Sequence, residues 1–206
     1  MEPPMRYSTE HKEETRARVV AAAGQVFREE GYGGASIDAL TKAAGVTNGA
    51  FYGHFKSKGA AFRTAVLSGL EELRQGIATL KAREPAGWLK TFVGYYLGYK
   101  RTCALGESCA LPSLSPDVMR ADDETRGVYT VELKRVIAEV AAGLPETGAA
   151  ERTDAAREEQ AILLLAMLSG GVTLSRAVDD AALSERIADI VTRAALAGSP
   201  QGQKRA

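Results

Sequence analysis

The stretch TKAAGVTNGAFYGHFKSK, residues 41–58, gathers side chains suited to reading charge and hydrogen-bond patterns without making or breaking bonds. Thr47 offers a hydroxyl, Asn48 an amide, Tyr52 a phenol and His54 an imidazole, while Lys42, Lys56 and Lys58 carry ammonium groups. Hydroxyls, amides and ammonium groups are what phosphate oxygens and base edges accept as partners. Over residues 36–58 the three lysines oppose one carboxylate, Asp38, in a chain whose formal net charge is zero. Any attraction for a polyanion must therefore be local. Covalent chemistry has less to work with. The chain has two histidines and two cysteines, with no Cys-His-acid grouping and no metal-ligand spacing. No enzyme activity, metal or cofactor is expected on that ground.

The elements that must hold these groups are helices. Apolar residues recur at three- and four-residue spacing, and strand-like alternation is scarce. A first helix is predicted over about residues 10–30, with Val19, Ala22, Ala23, Val26 and Phe27 as its stripe and Gly31 at its end. Ser36 caps a second helix, whose inward residues are Ile37, Leu40 and Ala44, with Ala43 beside them for close packing. Gly45 turns the chain and Val46 plugs the corner. Thr47 caps a short third helix, and Ser57 a long fourth one running toward Leu80. Two short helices joined by a brief Gly-containing turn form a helix-turn-helix unit. Phe51 and Phe55 are its anchors, facing back onto the first and fourth helices. The simpler account, in which the aromatics are core and the lysines merely solvated, explains each residue singly. It does not explain why Thr47, Asn48, Tyr52, His54 and the lysines share one outer side.

VVAAAGQVF, GYGGASIDAL and AAGVTNGAFYGHFKSK together resemble the DNA-binding domain of the TetR family of bacterial transcriptional regulators. The likeness covers residues 10–58. The resemblance implies an all-α chain, with a three-helix helix-turn-helix DNA-binding domain at residues 1–58. A larger helical ligand-binding and dimerisation domain follows at 59–206. It implies a homodimer on a double-stranded DNA operator, the third helices entering successive major grooves roughly 34–36 Å apart. By position, Tyr52 and Lys58 contact phosphates, Thr47 and Ser36 cap helices and reach the backbone, and Asn48, Gly49 and Ala50 lie nearest the bases. His54 points at the backbone or supports Tyr52. Three positions depart from the pattern: Gly53 for a larger residue, Thr41 for a common Ala and Gly59 for a common Glu.

Beyond residue 61 the chain is a helical body. PAGWLKTFVGYYLGYKRTCAL reads as one helix whose Trp88, Phe92, Tyr95, Tyr96 and Tyr99 wind around a broad face. Most of these pack, and some wall a ligand pocket that Cys109, Met119 and Met167 complete. Pro112 and Pro116 predict a broken segment with short turns. The resemblance implies that the Gly-x-x-Cys stretch ending at Cys109 opens a short helix beside the pocket. In some relatives that cysteine senses oxidants or electrophiles; a buried, inert thiol is the other reading. A disulfide to nearby Cys103 is the third. A further helix is predicted over about 122–143, with Tyr129, Leu133, Val136, Ile137 and Val140 as its stripe, then a loop, LPETGAAERTD. The last two helices are apolar enough for a four-helix dimer interface, with Ile162, Leu163, Ala166, Met167, Val172, Ile187, Ile190, Val191 and Leu196 as candidates.

No apolar run suggests a membrane span, and the opening MEPPMRYSTEHKEE lacks the core of a signal peptide, so a cytoplasmic protein is expected. Both ends read as loose. The expected function is a homodimeric repressor released from a palindromic operator by a small-molecule effector. The alternatives are a thiol-based sensor acting through Cys109, a DNA-binding activator or architectural protein without ligand, and a helical enzyme.

Overall fold

The computed structural model describes residues 9–144 and 153–197. Both termini and most of the LPETGAAERTD loop, read above as loose or as loop, lie outside the described residues. Among the described residues there are helices and no strand. In order they are α1 (Thr9–Gly34), α2 (Ile37–Ala44), α3 (Asn48–His54), α4 (Lys58–Arg83), α5 (Trp88–Leu97), α6 (Tyr99–Thr102), a 3-10 turn (Leu105–Glu107), α7 (Ala110–Val118), α8 (Asp123–Ala141), α9 (Asp154–Ala177) and α10 (Ala181–Leu196). The regular part of α1 breaks at Gly31, whose φ of 69° leaves the helical region.

Side-chain caps start most of the helices. Ser36 accepts from the Ala39 N–H at 3.0 Å, Thr47 from Ala50 at 3.2 Å and Ser57 from Ala60 at 3.1 Å. Such caps satisfy donors that a helix start leaves orphaned, at about 1 kcal/mol each. α2 ends in a Schellman arrangement: Gly45, at φ 63° and ψ 38°, donates to Lys42, and Val46 donates to Thr41. A side chain at Gly45 would strain that left-handed turn and so alter the angle between α2 and α3.

Two expectations for the body change. The helix predicted from Pro85 to Leu105 is two, because the chain breaks at Gly98, where an added Cβ would sit 2.6 Å from the Gly94 carbonyl oxygen. Conversely, the proline segment is helical. Pro112 falls in the first turn of α7, where an N–H has no intrahelical acceptor, and Pro116 sits further along. Arg176 of α9 donates to the carbonyls of Lys100, Arg101 and Cys103, so the end of α6 is tied to α9.

One continuous core runs from Val19, Phe27, Phe51 and Phe62 through Leu70, Ile77, Phe92 and Tyr96 to Val136 and Leu168. α4 is its spine, packing against α1, α5, α7 and α8. The α9 window that is long and apolar enough to cross a membrane has a mean hydropathy of 1.3, so the described residues do hold such a stretch. Here α9 packs against α5, α6, α7, α8 and α10, with Ala161, Leu164, Leu165, Leu168 and Val172 buried. Its spacing places Val172 on the inward stripe, so Val172 is a core residue and not an exposed interface residue. Val191 is half-buried against Gly171, and Ile187 is half-buried too. Ile162, Leu163, Ala166 and Ile190 remain exposed, joined by Leu174 and Leu183.

The closest approach along the spine is at Gly69, where a Cβ would lie 2.4 Å from Ala110 Cβ and 3.0 Å from an Arg28 nitrogen. Gly69→Ala is therefore expected to cost about 1–3 kcal/mol, lowering Tm by about 2–4 °C per kcal/mol. Gly76→Ala on the same helix, with no atom within 4 Å of the new Cβ, is expected to raise Tm. Thermal melts followed by circular dichroism check both.

Candidate nucleic-acid interface and effector cleft

α3 has seven residues, too few to hold a helix alone in water. Its apolar side anchors it. Phe51 and Phe55 are buried with ring centroids 5.5 Å apart, and the Arg16 guanidinium covers Phe55 at 5.7 Å. Nearby, Phe27 meets Phe62 edge-on at 5.1 Å, and Tyr32 lies 5.0 Å from Phe62. The same helix leaves its other side open: Thr47, Asn48, Gly49, Ala50, Tyr52 and Gly53 are exposed, with Tyr52 at 53%. Ser36, Lys42, Lys56 and Ser57 are exposed as well, while His54 and Lys58 are half-buried. Ala44 is buried against α1, whereas Ala43 faces out and takes no part in the close packing expected of it.

Two of these groups are more constrained than their types suggested. The Lys58 ammonium donates to the Ala35 carbonyl at 2.7 Å and sits 4.6 Å above the Tyr32 ring. It closes the turn before α2 onto the start of α4, leaving two donors for other acceptors. Asn48 turns its amide back onto α2: its Oδ1 accepts from the Thr41 hydroxyl at 3.1 Å, and its Nδ2 donates to Asp38 at 3.4 Å. Thr41 was not among the candidate residues. The signal was present, because a threonine stands where the resemblance expects alanine.

The second feature is a cleft of about 770 Å³ between α1, α4, α5 and the 3-10 turn. Phe92, Tyr95, Tyr96, Tyr99 and Cys109 line it, together with Arg28, Ile77, Leu80 and Lys100. Trp88 does not. Its indole N–H donates to the Gly143 carbonyl at 2.7 Å, pinning the start of α5 to the end of α8. Met119 lies just past α7, 70% exposed, and Met167 is half-buried on α9; neither lines the cleft. Tyr95 and Tyr99 stack at 5.5 Å on the outer rim beneath the Lys100 ammonium, and Tyr99 donates to Glu107 at 2.9 Å. That bond to a carboxylate pushes the Tyr99 phenol up.

Tyr96 and Cys109 form the inner wall. Burial pushes both the phenol and the thiol up, with the two groups against each other. Cys103 and Cys109 are free thiols. A buried thiol held in its neutral form is a poor nucleophile, which works against sensing through Cys109. Arg28, contributed by α1, was also absent from the candidates. An arginine on a helix assigned to the other domain carries no sequence mark of a cleft.

Residues 19–64 match the family described as bacterial regulatory proteins, tetR family. Among curated proteins, the chain is 48% identical over 46 residues to the HTH-type transcriptional regulator SrpR of Pseudomonas putida, covering 22% of each chain. It is 27% identical over 111 residues to the HTH-type transcriptional repressor DhaR of Mycobacterium sp. strain GP1, covering 54% of this chain and 56% of that one. These matches thus span from under a quarter to just over half of the relatives' own length. Solved structures extend the likeness in fold. The reduced form of NemR from E. coli aligns with a TM-score of 0.72 at 19% identity, over 90% of this chain and 97% of that one. A TetR family transcriptional regulator from Agrobacterium tumefaciens aligns at 0.70 and 19%, over 89% and 98%. The first helices of this chain thus carry the helix-turn-helix unit that matches the tetR family of bacterial regulatory proteins, and the helical body behind it shares the fold of these solved structures.

Proposed function

We propose that this protein is a homodimeric DNA-binding transcriptional regulator, a repressor released from a palindromic operator by a small-molecule effector. The observation that carries the reading is the two-sidedness of α3. Its aromatic side is buried, while Thr47, Asn48, Gly49, Ala50 and Tyr52 stand exposed beside Lys42 and Lys56. The names of SrpR and DhaR, a regulator and a repressor, support the same reading.

In this account Tyr52 and Lys58 bind phosphates, as do Ser36 and Thr47 beyond their capping bonds. Gly49 and Ala50 let the backbone come close to base edges. Asn48 exchanges its long bond to Asp38 for one to a base. His54 supports the backbone contact. The exposed apolar residues of α9 and α10 meet the same residues of a second copy, the isologous arrangement that matches a palindrome. The effector occupies the cleft and shifts α4, which runs from the recognition unit into the body. An effector acts only through unequal affinity for the two arrangements.

Selection of bound sequences from random duplexes is expected to return a palindrome; a set of unrelated sequences would count against the reading. Tyr52→Phe and Lys58→Ala are expected to weaken binding to every sequence alike, by about 1 kcal/mol each. Lys58→Ala is also expected to flatten the slope of log affinity against log salt by about one. Asn48→Ala is expected to relax the preference at one base position, measured by competition with substituted operators. The pair Leu163→Glu and Ile190→Glu is expected to give a folded monomer in sedimentation and to lose operator affinity. Mild peroxide is expected to leave operator binding unchanged in both the native protein and Cys109→Ser.

A further inference from the structure

The cleft wall holds one buried donor that the fold leaves unpaired and a second that only a thiol meets. The Arg28 Nε is shut off from solvent without a hydrogen-bond partner, and the Tyr96 hydroxyl, equally shut off, has only the weakly bonding Cys109 thiol against it. A buried donor left unpaired or poorly paired keeps its desolvation cost, so the retention of both in a cleft wall calls for a partner from outside the chain.

Arg28 is also weakly neutralised. Its side chain is 11% exposed, and the carboxylate it faces, Glu72, lies 3.9 Å away on an open surface. Its remaining bond is a 3.3 Å contact from Nη1 to the Gly106 carbonyl. Both ties are long for a guanidinium, which prefers two parallel bonds of about 2.7–2.9 Å to a carboxylate. Around it the cleft carries three cations, Arg28, Arg83 and Lys100, against two carboxylates, Glu72 and Glu107. The rest of the wall includes Ile77, Leu80 and Phe92. Its volume, about 770 Å³, is of the size that encloses a small organic molecule.

We infer that the cleft binds an amphiphilic carboxylate, its anionic head on the Arg28 guanidinium with the Tyr96 hydroxyl as a second hydrogen-bond partner, and its apolar body along Phe92, Ile77 and Leu80. The inference deepens the effector-released reading above and rests on it for its regulatory meaning. A carboxylate that captures Arg28 takes it from the Gly106 carbonyl, the bond that ties α1 to the 3-10 turn. Phe27, the residue before Arg28, packs on Phe62 and Tyr32 in the recognition unit. The ligand therefore acts on α1 directly, as well as on α4.

Calorimetry on the full-length protein without DNA tests the binding, with octanoate and 3-phenylpropanoate as probes and octanamide and 3-phenylpropanamide as neutral counterparts. Each carboxylate is expected to bind about tenfold or more tightly than its amide, the scale of a charge-assisted pair. Arg28→Gln is expected to erase that preference and leave amide binding unchanged. Tyr96→Phe, which keeps the ring and its packing, is expected to weaken carboxylate binding several-fold, and it serves if Arg28→Gln melts early. Equal binding of acids and amides, no binding of either, or a preference that survives both variants overturns the inference. Because no DNA is present, any of these outcomes leaves the operator-binding reading standing. Failure of the duplex selection would likewise leave the calorimetric result intact.

Discussion

A seven-residue helix survives in this protein because Phe51 within it and Phe55 just past its end are buried. Burial of a phenylalanine is worth about 1.5–3 kcal/mol, and Phe51 and Phe55 are both inside. That exceeds what the Thr47 cap supplies, and it holds α3 at one rotation about its axis. The rotation decides everything outward: with Phe51 in, Tyr52 must be out. The left-handed turn at Gly45 then sets the angle at which α3 leaves α2, and the Asn48 amide, accepting from Thr41 and donating to Asp38, holds the start of α3 in place. The exposed polar surface is thus a by-product of buried aromatics and one permissive residue.

The same economy joins the two halves of the molecule. α1 presents Phe27 to the recognition unit and Arg28 to the cleft, on adjacent residues that a helix rotates about 100° apart. α4 begins at Lys58, bound to Ala35 before α2, and ends beside α8, where Lys81 donates to the Glu139 carbonyl at 2.6 Å. Asp117 of α7 adds a direct link by accepting the Tyr32 N–H at 2.9 Å. A division of the chain at residue 58 falls at the first residue of α4, which packs against α1 as well as α5, α7 and α8.

The helix-turn-helix was legible because its determinants are local. Caps at Ser36, Thr47 and Ser57 act on N–H groups three residues on, and Gly45 acts on its own turn. Periodicity likewise placed Phe51 and Phe55 inside. The body was less legible because its determinants are contacts between distant residues. An aromatic face placed Trp88 beside the tyrosines, but the distant Gly143 carbonyl claims its N–H. Apolar character marked Val172 and Ile162 alike, yet the packing of α9 on its neighbours buries one and exposes the other. Gly98 interrupts a pattern that looked continuous, because the clash that requires glycine there is with the chain's own preceding turn.

What the sequence by itself determined is therefore the all-helical class, the recognition unit and the outward set around Tyr52, since short-range hydrogen bonds and helical periodicity are written in neighbouring residues. What only the tertiary structure decided is which apolar residues stay exposed, where the cleft opens and that Arg28 stands in its wall with an unmet donor. The first depends on how α9 packs on its neighbours and the others on side chains brought together from α1, α4, α5 and the 3-10 turn, and no local spacing encodes a meeting between helices so far apart in the chain.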